Sequence, residues 1–347
     1  KESLYLYLLQ KREETNIALA VTVANAKVID PAFSNGVPIS PKRKNIYLIA
    51  LSLGLLIPGL LIYVRGMLDT KVHGRRDVER LGIPYLGDIP LEEQEKQLVV
   101  TKGESSNIAE SFRLLRTNVE FLLGTSDDPC RVIFVTSTIA KEGKSFVALN
   151  LASTISLVGK KVLLLGMDLR APKVLQYAGL EDKRGLTNYV SDHSLSLEDV
   201  ILKDPLGERI DILPSGAIPP NPAELLLHKR VEEMFDALKK RYDYIIVDTA
   251  PIGVVTDTLL ITQYANAFIY VIRAHYLDKQ LLEVPTNLYR EKRLPNMAML
   301  INGTNYKKGY GYGYGYGYGY GYGYGYGYGK EKPKTFLQKL FSKKDMS

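Results

Sequence analysis

The chain has 347 residues, 46% of them hydrophobic, with 45 Lys and Arg against 38 Asp and Glu, a formal charge of +7. That length predicts two domains plus extra segments, and the apolar content allows a real core. The single cysteine, Cys130, excludes an intrachain disulfide, and the soluble part reads as cytosolic. Beginning at Lys1 without initiator methionine or signal peptide, the sequence reads as a fragment with an upstream region missing. Lys1 to about Ala20 reads as the end of a helix, with Leu4, Leu8 and Leu9 near helical spacing. Val37-Pro-Ile-Ser-Pro41 then stops that structure and leads on as an extended stretch.

Ile46 to Val64 carries no charge, and at about 1.5 Å per residue it covers roughly 28 Å, one hydrocarbon core. Tyr47 and Tyr63 stand at its ends, where aromatic belts form. The alternative is a buried helix of a large soluble domain. Basic residues flank both ends (Lys42, Arg43 and Lys44; then Arg65, Lys71, Arg75 and Arg76), and more follow near the C-terminus. Base beside an apolar span favours anionic lipid over nucleic acid.

The next elements are a helix over 107–123 and a strand over 131–137. The strand runs into Thr138-Ile139-Ala140-Lys141-Glu142-Gly143-Lys144-Ser145 and then into a helical run opened by Phe146. Strand, loop and helix are the context a phosphate-binding loop requires, and G-x-x-x-x-G-K-[ST] is met except that Thr138 replaces the first glycine. These residues, Thr138 through Phe146, are candidate nucleotide contacts, with Lys144 on the β/γ-phosphates and Ser145 on Mg²⁺. A second strand, from Val162, ends on Asp168, with Arg170 close behind; a third, Tyr244 to Val247, ends on Asp248. In a parallel sheet these strand ends share one edge, so Lys144, Ser145, Asp168 and Asp248 should converge, the last three as Mg²⁺ ligands. The bland alternative is that each aspartate caps the segment after it. Further strands are expected at 210–213, 267–272 and 297–301, and helices at 145–158, 223–228, 230–241 and 278–293. The alternation predicts an α/β fold, a doubly wound, mostly parallel sheet of P-loop NTPase type, preceded by one transmembrane helix. Asn302, after the last strand, is a candidate adenine contact.

Ten tyrosines alternate with glycine at Tyr310, Tyr312, Tyr314, Tyr316, Tyr318, Tyr320, Tyr322, Tyr324, Tyr326 and Tyr328. Such a run offers no aliphatic core and costs much backbone entropy to order, which predicts a disordered tail presenting phenols as phosphate acceptors. A cohesive, phase-separating segment is the other reading. Beyond it, Phe336, Leu337, Leu340 and Phe341 fall on one helical face among lysines, either a short interfacial anchor or a disordered basic end.

The loop variant, the acidic strands VLLLGMDLRAP and IIVDTAP, the stretch PSGAIPPNPAELL and the tyrosine tail together resemble the bacterial tyrosine kinases (BY-kinases), of the type that serve as polysaccharide co-polymerases and autokinases. The resemblance divides the chain into the end of a periplasmic chain-length-determinant domain with its proline-rich segment (1–45), a transmembrane helix (46–65), a juxtamembrane linker (66–105), the kinase domain (106–305) and the tail (306–347). It implies a protein-tyrosine autokinase that uses ATP and Mg²⁺ in the bacterial inner membrane, with kinase and tail cytoplasmic. Lys144, Asp168, Arg170 and Asp248 would be its catalytic residues. The loop departs from deviant P-loop ATPases at Ile139, where they carry lysine. Glu110-Ser-Phe-Arg113-Leu-Leu-Arg116 matches an E-x-x-R-x-x-R motif, which implies a contact closing a ring-shaped homo-oligomer, an octamer; on spacing alone it is an intrahelical salt bridge. Implied partners are a tyrosine phosphatase, the polysaccharide polymerase and export machinery, and anionic lipid; nucleic acid is not one. The competing readings are a membrane-bound ATPase switch that transfers phosphate only to water, and a catalytically silent co-polymerase.

Overall fold

The structure, a computed structural model, describes residues 1–21, 30, 36, 40–91, 97–124, 128–181 and 184–305. The ten tail tyrosines, the Phe336–Phe341 segment and most of the Val37–Pro41 stretch lie outside the described residues. The chain divides into two compact units, Lys1–Thr70 and Lys71–Ser347.

The first unit holds two helices, α1 (Glu2–Ala20) and α2 (Arg43–Met67). α2 is long and apolar enough to cross a membrane, by length and composition, and none of its residues is buried within the protein. Pro58 lies inside it.

In the second unit, α3 (Arg75–Glu79) precedes β1 (Tyr85–Pro90), α4 (Asn107–Leu123), β2 (Arg131–Ser137) and α5 (Lys144–Ser156). Then come β3 (Val162–Gly166), α6 (Val174–Ala178), α7 (Leu186–Ser191), β4 (Ile210–Leu213), α8 (Pro222–Leu226), α9 (Lys229–Lys239) and β5 (Tyr244–Asp248). A 3₁₀ turn (Asp257–Tyr264), β6 (Ala267–Arg273), a second 3₁₀ turn (Lys279–Leu282), α10 (Glu283–Arg290) and β7 (Met297–Thr304) complete it. The strands form one seven-stranded sheet in the order β1-β7-β6-β2-β5-β3-β4, and every pairing is parallel. Alternate residues of each strand feed opposite faces, as the two-residue pleat requires. Val132, Phe134, Leu163 and Phe268 pack with α9, while Ile133, Val135, Leu164 and Ile269 pack with α4 and α5.

Three elements differ from expectation. Tyr85–Pro90, inside the stretch read as a linker, is an edge strand paired with β7, and Val72 and Val78 are core residues. β7 runs on to Thr304, so Asn302 belongs to the strand rather than following it. The helix expected over 278–293 is shorter, because the chain enters it through a 3₁₀ turn and Pro285 occupies its first turn.

Candidate nucleotide site

The site grows from strand ends. In the sheet register Asp248, last residue of β5, is level with Val135 of β2 and Gly166 of β3, so the loop after β2, the turn after β3 and the end of β5 meet at one edge. There they line a cavity of about 740 Å³ that includes Lys144, Ser145, Asp168, Arg170, Tyr177 and Arg273. The predicted convergence of Lys144, Ser145, Asp168 and Asp248 has this geometric form: the Ser145 hydroxyl donates to Asp248 Oδ2 at 2.5 Å, and Lys144 and Asp168 share the lining. Asp248 is 1% exposed. Burial pushes its carboxyl up to about 6, against the pull of Lys144 and the Ser145 hydrogen bond and with the push of Asp168.

The loop is braced from behind. Glu142, 0% exposed, turns inward and accepts from the Ile139 N–H at 2.7 Å and the Arg273 N–H at 3.3 Å. Burial lifts its carboxyl to about 7. Arg273 Nη1 donates to the Lys141 carbonyl at 3.0 Å, and Asn302 Nδ2 to the Glu142 carbonyl at 3.0 Å. Thr138 Oγ1 lies 3.0 Å from the Tyr270 hydroxyl. Of the predicted contacts, Ala140, Lys141, Gly143, Lys144, Ser145, Phe146 and Asn302 line the cavity; Thr138, Ile139 and Glu142 do not, and serve as braces. Gly143 at φ +96 lies so close to Asn302 that a Cβ would stand 2.0 Å from Nδ2.

Asp168 bends its own turn, Oδ1 accepting from the Ala171 N–H at 3.0 Å and the Arg170 N–H at 3.3 Å. The capping alternative is therefore true of Asp168, but only one of its oxygens is engaged. Arg170 does not offer a free guanidinium. It is held in a two-pronged pair with Asp257, at 2.7 and 3.0 Å, and Asp257 is 3% exposed. Glu110, Arg113 and Arg116 lie on α4, outside the cavity lining. Arg113 pairs with Glu110 within the helix and also donates to the Glu104 carbonyl, and Arg116 faces Glu120 at 3.8 Å.

The site fits a hard divalent cation. Asp248 Oδ1 is buried with no hydrogen-bond partner, beside the Ser145 hydroxyl. No cluster of three or more His, Cys, Asp or Glu able to hold a metal occurs among the described residues. The ion would draw its other oxygens from phosphate and water, which suits Mg²⁺.

Sequence reasoning missed Asp257, Tyr177, Arg273 and the bracing role of Glu142. Asp257 lies 87 residues from Arg170, with no local pattern to announce the pair.

Residues 1–67 match the family described as "G-rich domain on putative tyrosine kinase", and residues 130–286 match an AAA domain family. The chain is 30% identical over 318 residues to a Klebsiella pneumoniae protein named "Putative tyrosine-protein kinase in cps region", covering 87% of this chain and 44% of that one. It is 29% identical over 307 residues to "Tyrosine-protein kinase wzc" of Salmonella typhi, covering 83% and 42%. The chain thus spans less than half the length of these curated relatives. Among solved structures, the kinase domain of Escherichia coli tyrosine kinase ETK superposes with a TM-score of 0.59 at 25% identity, covering 69% of this chain and 98% of that one. The chain belongs to the bacterial tyrosine kinase (BY-kinase) family.

Proposed function

We propose that this chain is a membrane-anchored tyrosine autokinase that transfers the ATP γ-phosphoryl group to tyrosines of its own Gly-Tyr run, Tyr310 to Tyr328. The observation that carries the reading is the meeting of Lys144, Ser145, Asp168 and Asp248 at one sheet edge, where the first three line a cavity of about 740 Å³ and Asp248, behind them, accepts from the Ser145 hydroxyl. Lys144 neutralises the β/γ-phosphates, and the loop amides at the start of α5 cradle them. Ser145 and Asp248 hold Mg²⁺, which when bound neutralises charge on the phosphate oxygens. Asp168 keeps one carboxylate oxygen uncommitted and takes the phenol proton as the tyrosine oxygen bonds to the γ-phosphorus and the β–γ bridge oxygen leaves with ADP. A phenol with a pKa near 10 is protonated at neutral pH, so such an acceptor is required. Arg170, fixed by Asp257, positions the turn that carries Asp168. Asn302 holds the loop and contacts the base or ribose.

α2 spans the inner membrane, with everything after Arg65 on the cytoplasmic side, where ATP is found. Transfer runs between subunits of a ring closed through Glu110, Arg113 and Arg116. A 20-residue flexible run has an r.m.s. reach of roughly 25 Å, enough for a neighbour's site. Each phosphate adds about −1.5 to −2 charges, so a phosphorylated ring repels itself and loosens. A tyrosine phosphatase resets it, and the cycle governs capsule or exopolysaccharide polymerisation and export. Anionic lipid holds the basic segments.

Mass spectrometry of the tail after MgATP addition tests the core of this reading. Phosphate should appear on the Gly-Tyr run of the parent and be absent from Lys144→Met; an unmodified parent tail with ATP consumed would favour the ATPase switch instead.

A further inference from the structure

The motif PSGAIPP takes no part in the nucleotide cavity, yet it lines a second one. Behind the turn that carries Arg170 lies a cavity of about 430 Å³, within the ~300–1,000 Å³ range of small-ligand clefts. The segment from 170 to 177 is a wall common to both. Arg170, Ala171, Lys173 and Tyr177 line the nucleotide cavity, whereas Pro172, Val174, Leu175 and Gln176 line the second.

The second cavity mixes apolar side chains (Pro172, Val174, Leu175, Pro214) with polar ones, among which Ser215 and Arg184 matter most. Ser215, 3% exposed, keeps its hydroxyl buried without a hydrogen-bond partner. A buried polar atom left unpaired is costly, so a ligand that pairs it gains by doing so. Arg184 stands in the lining with no hydrogen bond or ion pair; Asp192 and Asp199 are the carboxylates that feel its charge. Apolar side chains, a hydroxyl and a guanidinium suit an aromatic ring with an anionic tip.

We propose that this cavity is a phosphotyrosine subsite for the tail, so that one phosphorylated tyrosine anchors the run while another reaches Asp168. The inference rests on the reading that the tail is the substrate. Geometry supports it. An extended Gly-Tyr stretch sets all its phenols on one side, about 7 Å apart for neighbours and about 13 Å for the next pair. The wall between the cavities is one short segment, the turn after β3 and the start of α6. The first phosphate then makes the later ones faster.

The test uses the detergent-solubilised, dephosphorylated full chain, saturated with MgADP so that the nucleotide cavity is filled and no ATP is present. Three probes are titrated: a labelled Gly-phosphotyrosine-Gly-Tyr-Gly peptide, its unmodified twin, and inorganic phosphate as competitor. The phosphopeptide should bind at least roughly tenfold tighter than its twin and tighter than phosphate alone; Arg184→Gln and Ser215→Ala should each weaken it roughly tenfold. In the active chain, partly reacted samples should contain multiply phosphorylated tails beside unmodified ones. Arg184→Gln should shift these to singly phosphorylated tails at an unchanged rate of first transfer. Equal binding of both peptides, phosphate competing as well as the phosphopeptide, or indifference to both substitutions overturns the subsite. If binding depends on Arg184 but the parent tail never takes phosphate, the autokinase reading fails while the subsite stands.

Discussion

Gly143→Ala tests the architecture of the loop most directly. Gly143 has φ +96 and ψ 22, a region where an L-residue pays roughly 1–2 kcal/mol. Its new methyl would also stand 2.0 Å from Asn302 Nδ2 and 3.2 Å from Cγ, so the amide must swing away. That breaks the 3.0 Å bond to the Glu142 carbonyl, a loss of about 1 kcal/mol. Together the effects reach about 2–3 kcal/mol, and if the loop leaves its phosphate-ready shape, nucleotide affinity falls roughly 30- to 150-fold. Titration with a fluorescent ATP analogue measures this. Asn302→Ala alone should cost about 1 kcal/mol of affinity, and the double variant should cost less than the sum of the singles, because both singles lose the same Asn302 bond and the double loses it only once, beside the φ strain. Parent-like binding by Gly143→Ala, or strict additivity in the cycle, would refute the packing of Asn302 on this glycine.

Other outcomes follow from the same geometry. Asp257→Asn should lower the rate of tail phosphorylation roughly tenfold while nucleotide affinity stays within about threefold, since it loosens the Arg170 turn without touching the loop; a lost affinity with unchanged rate would contradict that. Mixing a Lys144→Met chain with a tail-deleted chain should place phosphate on the former's tail, and none there would refute transfer between subunits. Glu142 has a carboxyl raised from 4.5 to about 7, so the stability it contributes is complete below about pH 4.5 and is lost as pH rises through 7. Glu142→Gln should therefore flatten the decline of Tm between about pH 5 and 8; a slope equal to the parent's would show that Glu142 does not cause it.

The central strands were legible because each is built on an apolar run, as a strand buried on both faces must be; β5 ends on Asp248 as expected, whereas β3 stops at Gly166 and leaves Asp168 in the turn after it. β1 was not legible. YLGDIP carries Gly87, Asp88 and Pro90, which argue against a central strand, but β1 is an edge strand paired only with β7, where proline is tolerated. The convergence of Lys144, Ser145 and the two aspartates was legible from topology alone, since parallel strand ends share an edge. What the loop side chains do was not. Glu142 and Lys144 are two positions apart in one motif, yet one braces the loop from inside and the other lines the cavity, a choice made by β6 and β7 rather than by local sequence. Arg170 likewise reads as a free cation until the fold brings Asp257 to it.

The departure of the loop from its motif has a structural explanation in the same terms. Thr138 stands where the pattern asks for glycine, but the left-handed positions of this loop are Lys141 at φ 66 and Gly143 at φ 96, so the first position makes no conformational demand for glycine. What glycine would otherwise provide there is room. Here that room comes from the facing segment: Gly253 lies so near that a Cβ on it would be 2.4 Å from the Thr138 carbonyl oxygen and 3.0 Å from Thr138 Cγ2. The side chain absent from 253 is the space that Thr138 fills. With that space filled, Thr138 also gains the contact of its hydroxyl with Tyr270 on β6, tying the start of the loop to the strand that braces its middle through Arg273. A glycine at 138 would give up that tie, so the threonine is a second way of fixing the loop rather than a decayed first one.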